Sequence, residues 1–127
     1  MWKILPILLN TEMVKATLAG GKTCTRRVIK DTVKENQEIN KNGKGEFELY
    51  DITSRCSIPK GKIYKPPYQP GDILYVRETW KKNLSRYMYR ANYSDTEKFY
   101  QNGKEVRMKW HPSIHMPKEI ARIWLKV

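Results

Sequence analysis

The segment Pro70-Gly71-Asp72 followed by Ile73-Leu74-Tyr75-Val76-Arg77-Glu78-Thr79-Trp80 constrains this chain most. A Pro-Gly-Asp turn ends whatever precedes it. The residues after it are mostly β-branched or aromatic, so Ile73 to Trp80 reads as a strand. Ile73, Tyr75, Arg77 and Thr79 would share one face, and Leu74, Val76, Glu78 and Trp80 the other. Similar short runs recur at Lys3 to Leu9, Lys22 to Ile29, Phe47 to Ile52, Tyr87 to Tyr93, Val106 to Trp110 and Ala121 to Val127. One helix interrupts them. Asn10 suits its N-cap, Glu12 its first turn, and Met13, Val14, Thr17 and Leu18 one face, with Gly20 and Gly21 at its end. Asp31 to Gly45 is polar and reads as a loop. Ser57 to Gln69, with three prolines, reads as an extended connector. The expected fold class is mainly β (α+β): a small barrel with one N-terminal helix and a few short helical turns, in which closure removes the strand edges. A length of 127 residues suits a single domain, with 31–69 as a flexible insertion.

Net charge is the second constraint. Twenty-five Lys+Arg against 13 Asp+Glu leave +12, a field that suits nucleic acid, an anionic surface or an acidic protein. The charge is clustered. Lys22 to Lys30 holds four basic residues and no acidic one, and Arg77 to Arg90 holds five against Glu78 alone. The lysines of 34–44 and 60–65 are expected to serve solubility. Aromatic content of 11% is high for a disordered chain. The apolar run Ile4 to Leu9, broken by Pro6, is too short to span a bilayer. No small-residue cleavage site follows it, so neither a signal peptide nor membrane association is expected. Cys24 and Cys56 form no CxxC pair, and with His111 and His115 they match no zinc spacing. The reading is two reduced, partly buried thiols, no metal, no cofactor and a cytoplasmic location.

Three segments carry candidate chemistry. Leu18 to Arg27 ends a helix at glycine and presents Lys22 beside threonine hydroxyls. That combination can bind a phosphate or carbonyl oxygen, or activate Thr25 as a nucleophile if Lys22 is desolvated. It is not a P-loop, because its glycines end a helix rather than begin one. In Tyr68 to Trp80, Glu78 shares a face with apolar residues, and a buried carboxylate there needs Lys22 or an arginine as partner. In Trp110 to Pro117, two prolines hold His111 and His115, and Trp110 and His111 can stack on a base.

Together these segments, Gly20 to Arg27, Pro70 to Trp80 and Trp110 to Pro117, resemble the phage-associated branch of the ASCH domain, a PUA-like β barrel. The resemblance covers nearly the whole chain. It implies a barrel with a cleft beside the first helix, and binding of RNA or of modified bases. Some small ASCH proteins are amidohydrolases that remove an acyl group from a modified nucleoside such as N4-acetylcytidine. By position, Lys22 and Thr25 match two members of their triad. The family's Glu follows the strand that here ends at Val127, leaving Glu78 as the candidate third.

The expected function is therefore a nucleic-acid-binding module for RNA or a modified base. Lys22, Arg26, Arg27, Arg77 and Arg90 would meet phosphates, while Trp80, Trp110, His111 and His115 would frame a base. The alternatives are the amidohydrolase, with Lys22, Thr25 and Glu78 catalytic, and a module that binds an acidic protein. The expected state is a monomer or weak homodimer, since an incomplete barrel exposes a strand edge.

Overall fold

A computed structural model describes residues 1–27, 35–57 and 63–127 of the chain. It is mainly β with a single α-helix among the described residues, and it divides into two compact units. Met1–Thr25 with Pro70–Val127 form one, and Arg26–Gln69 the other.

The first unit is built on strand β6 (Ile73–Arg77). It lies between β1 (Ile4–Leu8), which runs parallel to it, and β11 (Trp124–Lys126), which runs antiparallel. Its neighbours cover both edges of this central strand, and Trp124, Arg77 and Lys118 lean on Tyr75 from the otherwise open face. Leu74, Tyr75 and Val76 are therefore all buried in succession, rather than alternately. Buried Asp72 ties down both neighbours: its carboxylate accepts the Lys3 amide at 2.9 Å and its carbonyl accepts the Val127 amide at 2.9 Å. The expected strand stops at Arg77, short of Trp80, and β7 (Trp80–Asn83) begins a separate hairpin with β8 (Arg86–Tyr89).

Helix α1 (Thr11–Leu18) obeys its sequence signals. The Asn10 side chain accepts the Met13 amide at 2.8 Å. At the far end Gly21 donates to the Ala16 carbonyl and Gly20 to that of Thr17. Gly20 sits at φ +79, which completes a Schellman cap that a side chain would strain. Val14 is fully buried, in a core with Ile7, Leu9, Leu74, Val76, Met116 and Ile123.

Three strand expectations need correction. Lys22 to Arg27 form no strand, because the Lys22 amide turns back to the Ala16 carbonyl and extends the helix cap. Val28 and Ile29 lie outside the described residues. The Tyr87 to Tyr93 strand ends at Tyr89, where a 3-10 turn, Arg90–Asn92, bends the chain. In place of a Val106 to Trp110 strand there is a short hairpin, β9 (Phe99–Gln101) with β10 (Lys104–Val106). Its turn, Asn102 at φ 51 and Gly103 at φ 77, has the type I′ geometry that matches strand twist.

In the second unit, β3 (Phe47–Asp51) pairs with β2 (Gln37–Lys41), β4 (Cys56–Ser57) and β5 (Ile63–Tyr64). The expected loop of 31–45 thus contains a strand, and the expected connector of 57–69 contains another. The β2–β3 turn holds because the Asn42 carboxamide oxygen accepts the Lys44 and Glu46 amides, both at 2.9 Å. The described strands fall into four separate sheets and do not close into a barrel.

Candidate nucleic-acid interface

A buried, fully hydrogen-bonded polar cluster lies at the end of β6. Glu78 is 1% exposed, and Arg122 grips its carboxylate with both arms: Nε to Oε2 at 3.0 Å and Nη2 to Oε1 at 2.8 Å. The Arg122 Nη1 donates to the Asn92 side chain at 2.7 Å. Its guanidinium lies over the Tyr89 ring, 4.3 Å from the centroid. The Glu78 amide points at the Met116 sulfur, 3.2 Å away. A bidentate, hydrogen-bonded pair is what a buried carboxylate requires. The partner is therefore an arginine and not Lys22. The Lys22 ammonium instead donates to the Cys24 carbonyl at 2.8 Å. Among the described residues no hydrogen bond or ion pair joins Glu78 to Lys22 or Thr25. Lys22 and Cys24 border a shallow recess of about 480 Å³ beside α1, and the Cys24 thiol is free and exposed, not partly buried.

Tyr89 donates its hydroxyl to the Ile120 carbonyl at 2.6 Å. Burial pushes its phenol above the ordinary value of 10.0; Arg122 opposes the rise and Glu78 adds to it. The folded chain thus holds this proton more tightly than the unfolded chain. That contribution is fully present below the unfolded value and is lost as pH rises through the raised folded one. Urea melts from about pH 9 to about pH 11 should show Tyr89→Phe losing less stability than the parent protein. Equal alkaline losses would contradict the assignment.

The expected base-framing residues form two clusters. Trp80 and His111 exchange backbone hydrogen bonds at 3.2 and 2.7 Å, and their rings lie 4.9 Å apart. Tyr87 joins Trp80 at 6.2 Å, and the Lys82 ammonium sits 5.8 Å from the Tyr87 ring. The second cluster packs Trp110 against Tyr93 (5.8 Å) and Phe99 (6.1 Å), with Arg90 over the indole. Trp110, Phe99 and Arg90 border an open recess of about 690 Å³, together with the acidic Asp95, Glu97 and Glu105. Arg90 is already engaged there, by Asp95 at 2.9 Å and by the Tyr93 carbonyl at 2.9 Å. Arg77 leans on Tyr75 and donates from Nη1 to the Ile114 carbonyl at 3.3 Å. The Arg77 Nε and the Trp80 indole N–H are buried without a partner among the described residues. His115 is exposed on a 3-10 turn and makes no ring contact with either cluster among the described residues. Arg26 and Arg27 are exposed in the second unit.

Sequence reasoning passed over the β7–β8 hairpin as a unit. Its four-residue register puts Trp80, Lys82, Tyr87 and Tyr89 on one face and Lys81, Asn83, Arg86 and Met88 on the other. Lys81, Lys82 and Arg86 have no ion-pair partner among the described residues, and no acidic residue lies in either strand. The grouping of Lys81, Lys82 and Arg86 between Trp80 and the Tyr87 and Tyr89 pair was the available signal.

The fold and these clusters define the chain as a small, mainly β (α+β) protein with aromatic–cation surfaces. No family model matches it, and neither does any curated protein or solved structure. No helix among the described residues is long and apolar enough to cross a membrane. No group of three or more His, Cys, Asp or Glu among them is placed to hold a metal ion.

Proposed function

We propose that this protein binds nucleic acid, with RNA as the target, through the β7–β8 hairpin and the Trp80–His111 pair beside it. The observation that carries the reading is this juxtaposition: Lys82 shares a hairpin face with Trp80 and Tyr87, His111 stacks beside them, and Lys81 and Arg86 add charge from the other face. Cations neutralise phosphates and aromatic faces stack bases, which is how proteins hold single strands without reading sequence. A net charge of +12 adds long-range attraction. Arg26 and Arg27 supply further exposed charge, and the Trp110–Arg90 recess a second aromatic wall. The ASCH-type, PUA-like barrel belongs to the same proposal, resting on the three sequence segments and the nucleic-acid binding they imply.

The amidohydrolase alternative draws less support. Glu78 is committed to Arg122, and Lys22 is folded onto a carbonyl near an exposed Thr25. An acidic-protein partner draws on the charge alone and leaves the aromatic clusters unused.

Replacing Lys81, Lys82 and Arg86 together with alanine tests the reading. Three lost phosphate contacts should reduce the slope of log K against log salt by about 2 for a single strand. Affinity should fall to a similar degree for every sequence. An unchanged slope would remove the hairpin from the interface. Capture of a protein that survives nuclease treatment, without RNA binding, would favour the acidic partner.

A further inference from the structure

The three-stranded sheet of the first unit has two unlike faces. One, bearing Ile7, Leu74 and Val76, is sealed in the core. On the other, register places Pro6 and Trp124 on either side of Tyr75, with Ile4 and Leu8 along the β1 edge. This second face is apolar yet open: Trp124 is 47% exposed, Ile4 43% and Leu8 42%. Exposed apolar area of this kind marks an interaction surface.

The Trp124 indole is held in one orientation. Its N–H donates to the Ala121 carbonyl at 3.2 Å, and its ring rests 5.9 Å from that of Tyr75. The Lys118 ammonium lies about equally far from both rings, at 6.0 and 5.9 Å. Arg77 lies over Tyr75 from the same face, and Lys126 stands two residues from Trp124 on it. No position of that face in the three strands is acidic.

We propose that this open sheet face is a stacking surface for single-stranded nucleic acid. Bases lie on Trp124 and along the Ile4–Leu8 edge, and phosphates meet Lys118 and Lys126. Charge selects this occupant. A second copy of the chain would set like-charged faces against each other. A single strand brings negative charge and exposed aromatic rings together. A duplex buries its rings and presents only phosphate to such a platform. The inference rests on the nucleic-acid reading and adds to it a second surface and a preference for unpaired strands.

Binding of a labelled oligouridine of about twelve nucleotides, and of duplex RNA of equal length, decides it. The parent protein should prefer the single strand. Trp124→Ala should weaken single-strand binding about tenfold and leave duplex binding within about twofold, with Trp124→Phe in between, because a smaller ring still stacks. Lys118→Glu, at an exposed position, should weaken both targets and provides a variant with little risk to folding. Equal losses on both targets for Trp124→Ala, or wild-type binding by both Trp124 variants and by Lys118→Glu, would overturn this inference while leaving the hairpin reading standing. Polyglutamate of equal charge displacing the oligonucleotide as well as RNA does would overturn it in favour of an acidic protein. No RNA binding at all by the parent protein would overturn both.

Discussion

Arg122→Ala is expected to lower the stability of the protein by about 3 kcal/mol, with a fall in Tm of roughly 10 °C. The variant removes both donors that neutralise a carboxylate which is only 1% exposed. It also frees the Asn92 carboxamide and uncovers the Tyr89 ring. An uncompensated charge in a core costs more than the pair contributes, because water cannot reach it. Arg122 is about a quarter exposed at its side chain, so the lower end of the usual range applies. The pair itself need not be stabilising against apolar residues of like volume. Glu78→Leu combined with Arg122→Met should therefore recover most of the loss. Denaturant melts of the parent, the single variant and the double variant test this. A single variant within about 1 kcal/mol of the parent would show that the carboxylate finds other partners.

Met116→Ala is expected to cost about 2–5 kcal/mol. Met116 is the largest of the fully buried side chains, and its sulfur meets the Glu78 amide. Alanine would leave a cavity beside the Glu78 amide, whereas leucine gives up only the sulfur acceptor. Met116→Leu keeps the volume and should cost less than about 1.5 kcal/mol. A denaturation midpoint for Met116→Ala equal to that of Met116→Leu would contradict this packing. The Trp110 to Pro117 motif is therefore partly structural. Its prolines set the chain that delivers Met116 to the core, while Trp110 and His111 face the aromatic clusters.

Local chemistry was legible in the sequence where it acts over a few residues. The Asn10 cap, the Gly20–Gly21 stop and the Ile73 strand each depend on near neighbours. The Asn102-Gly103 turn was equally local, and it placed a hairpin where a single later strand had been expected. Glu78 was recognisable as a buried carboxylate from its apolar face, but its partner was not. Arg122 lies 44 residues away, on a segment that reads only as strand. The polar stretch of 31–45 misled for a different reason. Gln37–Lys41 gains its strand from cross-strand pairing with Phe47–Asp51, not from its own propensity. Among site residues, Trp80 with His111 and Arg90 with Trp110 do come together. Trp124 and Lys118 were invisible as a surface, because they meet only through the register with Tyr75.

The central claim is that the surface cations of this basic chain meet phosphates. The most direct measurement is the affinity of the parent protein for a single-stranded RNA across a range of salt concentrations. About five neutralised phosphates predict a slope of log K against log salt near −3.5. Salt-independent binding, or no binding at any salt, would contradict the account.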